Sequence, residues 1–132
     1  MANTIETRTI LDGSRNLIVH VHLDSDGAAG DVANTVIVDA SSYSPAFTDA
    51  KLVHIHSNIV GFTAELLWDA TANIHAWSCP DYEQDKDFAH IGGLQNTAGA
   101  GKTGDLLITT TGFSTAGDTG HIILEFKKKT LA

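Results

Sequence analysis

The residues from Leu52 to Asp69 alternate between apolar and polar side chains over two successive stretches, which constrains the fold more than any other feature of the chain. A period of two places neighbouring side chains on opposite faces of an extended strand. In the second stretch, Phe62, Leu66 and Trp68 share one face. The segment therefore predicts two strands folded as a hairpin about residues 58–61, with the second strand in the core.

In the first stretch, Val53, Ile55 and Ile59 share one face, and the opposite face takes Leu52, His54, His56 and Asn58. The same alternation recurs along the chain, with turn signals roughly every ten residues. Other apolar faces are Leu17, Val19, Val21 and Leu23 near the start, and Ile122, Leu124 and Phe126 near the end. The eight predicted strands are Thr4–Leu11, Asn16–Asp24, Ala33–Ala40, two within Leu52–Asp69, Asn73–Cys79, Asp105–Thr111 and His121–Lys129.

Short strands without a convincing amphipathic helix predict an all-β protein, and we expect a single-domain antiparallel β-sandwich of jelly-roll type. An irregular barrel is the alternative. The length of 132 residues suits one domain spanning residues 1–132. Residues 1–11 are predicted to be an outer strand or an N-terminal arm that adds a strand to a neighbouring chain.

Residues 81–104 break the alternation, because they contain charges at the start and glycines at positions 92, 93, 99, 101 and 104. Long loops in compact domains usually have a function. We predict one long Gly-rich loop attached to the body through Phe88, Ile91 and Leu94, either covering the core or contacting a partner.

Charge and composition restrict the partners. Eight basic and sixteen acidic residues give a formal charge of −8, which argues against binding nucleic acid. Only 18% of residues are charged, against about 25% in an average domain, and such a surface suits contact with other chains. The single Cys79 argues against a disulfide-stapled extracellular domain. The simpler expectation is assembly in a reducing cytoplasm. With no signal-peptide pattern and no long apolar run, we expect no membrane partner.

Histidines form the first candidate site. His20 and His22 are two residues apart on one predicted strand, as are His54 and His56 on another, so each pair projects from one face. Should the two strands be neighbours, four imidazoles would converge, and imidazole is a good ligand for zinc, copper or nickel. Surface histidines facing solvent or another subunit are the competing interpretation, and we assign no metal or other cofactor.

Two motifs resemble ligand-binding loops without completing them. Residues 99–103, GAGKT, resemble the end of a phosphate-binding loop, but Asn96 stands where the first glycine is required, and a strand follows instead of a helix. Asp24, Asp26 and Asp31 lie among glycines but lack the terminal glutamate of a helix–loop–helix calcium site. We predict no nucleotide site and a solvated acidic turn.

Other arrangements give no catalytic site. Cys79 lies between a strand and a proline, no nucleophile elbow is present, and Asp85 and Asp87 lie in a charged segment where solvation is expected. Nothing predicts an enzyme, so no catalytic residue is assigned. Aromatic side chains offer a sugar-stacking platform, which would make the protein a carbohydrate-binding module, although aromatic residues on strands more often belong to the core. The four are Phe62, Trp68, Trp77 and Tyr82.

Three stretches resemble small virion proteins of tailed bacteriophages, especially phages of aquatic bacteria. They are a tyrosine–proline turn at residues 43–48, the GF to W-D segment at 61–71, and a GGLQN to GKTGD loop at 92–105 followed by a threonine-rich strand. The similarity spans residues 19–128, and its last element is the basic end of the final strand.

This resemblance implies a structural role in the virion. The expected protein is a capsid decoration or cement protein on the outer surface of the shell, synthesised in the cytoplasm of the host bacterium. Its partners would be the major capsid protein and copies of itself, in a homotrimer or a capsid-induced oligomer. A tail, collar or fibre component is the alternative within the virion, and a carbohydrate- or metal-binding β-module is the alternative outside it.

Overall fold

Nine strands dominate the computed structural model, which describes residues 4–13, 15–25, 27, 31–43, 47, 49–88, 91–97, 99–101, 103–113, 115 and 117–129, without the side chains of Asp49 and Lys129. A short 3-10 helix, Ala40–Ser42, follows the third strand. The strands are β1 (Thr4–Asp12), β2 (Asn16–Asp24), β3 (Thr35–Val38), β4 (Asp49–Val60), β5 (Thr63–Trp68), β6 (Ile74–Cys79), β7 (Glu83–Asp87), β8 (Leu106–Thr111) and β9 (Thr119–Lys129). They form two antiparallel sheets, so the predicted all-β class is confirmed.

The larger sheet has the strand order β1-β2-β9-β4-β7. Its inner face is supplied by the alternating apolar residues of β2 and β9, which lie directly opposite one another in register. The predicted inward sets, Leu17, Val19, Val21 and Leu23 with Ile122, Leu124 and Phe126, are all buried. Period-two patterning therefore identified the core face of both strands correctly.

The smaller sheet has the order β3-β8-β5-β6, and its apolar face joins the same hydrophobic core. Phe62, just before β5, and Leu66 and Trp68 within β5 are buried as predicted. The Trp68 ring meets Phe126 of the larger sheet edge-on, with ring centroids 6.3 Å apart. This aromatic contact joins the two sheets.

The predicted hairpin between residues 52 and 69 is wrong. β4 pairs with β9 and β7 in the larger sheet, whereas β5 pairs with β6 and β8 in the smaller one. The turn through Gly61, with φ +93°, thus carries the chain from one sheet to the other. In addition, an irregularity between Leu52 and His54 interrupts the alternation, so Leu52 and Val53 are both buried.

The segment 81–104 is not one long loop, because residues Glu83–Asp87 form edge strand β7 against β4. The structure therefore describes nine strands, one more than the eight that were predicted. Of the predicted attachment points, Phe88 is buried and Leu94 packs on the core while forming an isolated bridge with Leu52. Ile91 is 63% exposed, so its predicted anchoring role is wrong.

The first and last described strands, β1 and β9, both belong to the larger sheet. Within the predicted arm, residues from Thr4 onward form β1, which pairs with β2 at the sheet edge; residues 1–3 lie outside the described part. Near the other end, Lys128 turns its side chain inward and forms an ion pair with Asp12. The ammonium also lies 5.9 Å from the centre of the Phe47 ring. The basic end is therefore partly built into the fold.

Candidate functional site

The outward face of the larger sheet carries five histidines, and we call it the histidine face: His20 and His22 on β2, His121 on β9, and His54 and His56 on β4. The face arises because successive side chains of each strand point to opposite sides of the sheet, so that the apolar residues face the core and the polar residues face outward. Their side chains are half-buried or exposed.

The two histidine pairs do not converge, because their strands β2 and β4 are not neighbours. β9 lies between β2 and β4, and His20 and His56 both stand opposite Ile123 of that strand. Two strand spacings separate their backbones by about 10 Å. His121 stands opposite His22 and was not among the predicted site residues. It follows a glycine at the start of the last strand, and this local sequence does not indicate which residues lie beside it.

The first group joins β2 to β9. His20 Nε2 and His121 Nδ1 share a hydrogen bond of 3.1 Å, and their rings are stacked with centroids 5.3 Å apart. The His22 ring lies 4.8 Å from that of His121. Burial, then the charges that His121, Arg8 and His22 carry when protonated, lower the pKa of His20 below its usual value of 6.5. The group thus favours neutral imidazole at His20.

The second group joins β4 to β7 and combines histidines with carboxylates. His54 Nε2 contacts the Asp85 carboxylate. His56 Nε2 lies 3.7 Å from Glu83 Oε2, and its Nδ1 lies 3.9 Å from Asp85 Oδ2. Asp85 therefore lies on the histidine face rather than in an irregular loop. These pairs are largely exposed, which limits their contribution to stability.

Neither group forms a metal centre. Within the described residues, no group of three or more His, Cys, Asp and Glu side chains has the arrangement needed to hold a metal ion. Of the acidic turn, Asp26 lies outside the described residues. Asp31 accepts hydrogen bonds from the Phe113 backbone N–H (2.7 Å) and the Thr110 hydroxyl (3.2 Å), and the Phe113 bond lowers its pKa. Its carboxylate thus ties two loops together.

Cys79 does not have the environment of a nucleophile. Its thiol is buried in the core, and burial raises its pKa to about 11. A histidine–hydroxyl pair does occur elsewhere: His75 Nε2 and Ser78 Oγ on β6 are 2.7 Å apart. Among the described side chains, no carboxylate contacts that imidazole to orient it, so the pair lacks the third member of a catalytic triad.

The phosphate-loop resemblance has a structural explanation. Gly101 has φ +81°, and a Cβ atom at this position would lie 2.3 Å from Thr71 Oγ1 and 2.8 Å from Thr71 N. Glycine is therefore required there by a close approach between loops. The Thr103 hydroxyl donates to Asp69 Oδ2 at 2.8 Å, and strand β8 follows, not a helix. Lys102 lies outside the described residues.

The four aromatic residues do not form a sugar-stacking platform. Phe62 and Trp68 are buried in the core. Trp77 is half-buried, donates its indole N–H to Gln84 Oε1 at 3.0 Å, and packs edge-on against Phe88. Tyr82 is 62% exposed. The prediction that these aromatic residues belong to the core is therefore confirmed for two of the four, Phe62 and Trp68.

Comparisons of the chain with protein-family models, with curated proteins and with solved structures found no match. Within the described residues, no helix has the length and hydrophobicity needed to cross a membrane.

Proposed function

We propose that this chain is a structural protein of a bacteriophage virion that decorates the outside of the capsid as a cement protein. The observation that carries the proposal is the sequence resemblance over residues 19–128. The site geometry supports a structural role, because the described polar clusters form hydrogen bonds and ion pairs with one another within the fold. The function would then depend on surface contacts rather than on turnover.

We further infer that the fold is a jelly-roll sandwich, which the strand order supports. Six of the eight connections between consecutive strands run from one sheet to the other; only β1–β2 and β5–β6 remain within a sheet. Two antiparallel sheets connected in this way are typical of jelly rolls, which occur in viral capsid proteins, lectins and cupins. This analogy concerns architecture and does not by itself assign a function.

Apolar side chains fill the interior between the two sheets, and this favours the outer surface as the place where the protein binds its partners. The largest fully buried side chains are aromatic or aliphatic, including Trp68, Phe113 and Phe126. A close-packed apolar core of this kind provides packing rather than a polar ligand cavity. The protein would bridge neighbouring copies of the major capsid protein, and its binding energy would oppose the outward pressure of packaged DNA. Its own copies would associate as a homotrimer or as a capsid-induced oligomer.

Copy number in purified virions tests this proposal. Gel densitometry should find this chain among the most abundant virion proteins, in proportion to the major capsid protein. Tens of copies or fewer per particle would instead favour a tail, collar or fibre component. Absence of the chain from particles would refute a virion role altogether.

A second measurement tests the stabilising action. Capsids stripped of the protein should lose their DNA at a lower temperature, and adding back the purified chain should restore the original temperature. Restoration by heat-denatured chain, used as the control, would show that the effect is nonspecific. If stripped capsids were as stable as complete ones, the cement role would be refuted, and the protein would be a surface component that does not stabilise the shell.

A further inference from the structure

The edges of the two sheets differ in how well they resist pairing with another strand. β7 is five residues long, and four of the five are charged, which protects an edge. β3 has only four residues and an irregular register, and β6 contains an irregularity opposite Leu66 and Leu67. β1, by contrast, is nine residues long and pairs regularly with β2 from Thr4 to Thr9.

No described strand pairs with the other side of β1. Glu6 and Arg8 stand opposite His22 and His20, so their exposed side chains lie on the histidine face. Thr7 lies on the other face, where its hydroxyl donates to the Ile37 carbonyl oxygen at 2.9 Å.

That inner face opens into a groove of about 520 Å³ between the β1 and β3 edges. Thr7 and Thr9 line one side of the groove, and Val36 and Tyr43 lie among the lining residues of the other. Val36 is 49% exposed. Among the described strands, none pairs with the outer backbone of β1, and the flank beside it is open and partly apolar. A strand added to this edge would cover both.

The charges on β1 favour one particular occupant. We propose that β1 pairs antiparallel with β1 of a second copy of this chain, about a two-fold axis at Thr7. In that register Glu6 of each copy stands directly opposite Arg8 of the other, on the histidine face. Thr7 stands opposite Thr7, and Ile5 stands opposite Thr9. Opposite charges and Thr–Thr pairs at directly facing positions both stabilise antiparallel strands.

A two-fold axis makes the contact self-complementary, since the same residues serve both partners. The contact goes beyond the proposed function and does not depend on it. It predicts a dimer already in free solution, and it differs from a cyclic trimer, in which the two contacting surfaces of each copy would be different. The mass of the protein in solution therefore discriminates between the two arrangements.

Charge-reversal variants test the register. In Glu6→Arg both facing positions become positive, and in Arg8→Glu both become negative, so each variant alone should dimerise at least about tenfold more weakly than wild type. An equimolar mixture of the two variants restores both opposite-charge pairs and should recover the dimer, as should the double variant E6R/R8E. Sedimentation equilibrium of the full chain gives the masses and dissociation constants.

Matched controls carry the same charge changes on the other edge of the sheet. Glu83→Arg and Lys86→Glu on β7 should leave the dissociation constant within about twofold of wild type. Controls that weaken the dimer as much as the β1 variants would overturn the proposal, because the effect would then follow net charge. A monomeric or trimeric wild type would overturn it as well, as would a mixture that does not recover the dimer.

A crosslinking variant tests the same contact without changing charge. With Thr7→Cys, the two introduced thiols face each other across the axis, at a separation that a disulfide can bridge. Oxidation should give a covalent dimer. Thr9→Cys is the control, because it would face Ile5 and should crosslink far more slowly. Native Cys79 is buried and does not compete. Equal crosslinking of the two variants would refute the register, whatever the virion experiments show.

Discussion

The ion pair between Lys128 and Asp12 joins β9 to the end of β1, across 116 residues of sequence. The Lys128 side chain is completely buried, whereas the Asp12 side chain retains 25% exposure. Removing Asp12 and removing Lys128 should therefore lower the free energy of unfolding by different amounts. A buried ammonium without a carboxylate is poorly solvated, while a partly exposed carboxylate can still be solvated by water.

We predict that Asp12→Ala destabilises the fold by about 3 kcal/mol, the lower end of the range for breaking a buried pair, because water reaches Asp12. Lys128→Met removes the buried charge and keeps a long apolar side chain against Phe47. This variant should cost only about 1 kcal/mol, because the remaining carboxylate is hydrated. Combining D12A with K128M should be less damaging than D12A alone, since no buried charge remains.

Urea denaturation at neutral pH, followed by tryptophan fluorescence, measures these differences as shifts in midpoint at constant slope. A loss of 3 kcal/mol also corresponds to a decrease in Tm of roughly 12 °C for a domain of this size. Lys127→Met, at an exposed neighbour on the same strand, is the control and should have little effect. The reasoning is wrong if Asp12→Ala costs less than about 0.5 kcal/mol, or if K128M is as costly as D12A.

Three further predictions follow from the core and the histidine face. Trp68→Ala should lower the free energy of unfolding in urea by about 3–5 kcal/mol, and an equally large loss for Tyr82→Ala, an exposed aromatic, would contradict this assignment of the core. Burial and a pKa of about 11 should make Cys79 react with a thiol reagent at pH 8 only after unfolding; rapid labelling of the folded protein would refute its burial. Because the pKa of His20 is lowered on folding, the unfolded chain binds its proton at a higher pH, so stability should decrease as pH falls through 6.5. His20→Gln should flatten this decrease in melting temperature, and a slope identical to that of wild type would exclude His20 as its source.

The core faces were predictable because alternation determines which side of a strand meets apolar neighbours. Leu17 to Leu23 on β2 and Ile122 to Phe126 on β9 were assigned correctly on that basis alone. Pairing partners were not predictable in the same way. The short turn through Gly61 suggested a hairpin, but the two strands that it connects belong to different sheets. A short connection limits how far apart the ends of two strands can lie, but it does not decide which strands pair through backbone hydrogen bonds.

β7 was missed for a related reason. Four of its five residues are charged and it has no apolar face, so it lacks the pattern by which a strand is recognised, although its backbone pairs with β4. The charges that concealed the strand also account for its position, because an edge strand must not recruit another chain. β1 carries only a Glu6–Arg8 pair over its regular part, which would suit an edge that has a partner of its own sequence.

The candidate histidine site shows where inference from spacing stops. Histidines two residues apart were correctly assigned to one face of their strand, but their convergence required β2 and β4 to be neighbours. Strand order puts β9 between them, so His20 meets His121 and His54 meets Asp85. The first group joins two strands that are far apart in sequence, and the second joins β4 to an edge strand that the sequence concealed. Each histidine pair therefore acquired its partners from long-range topology, which a local period cannot encode.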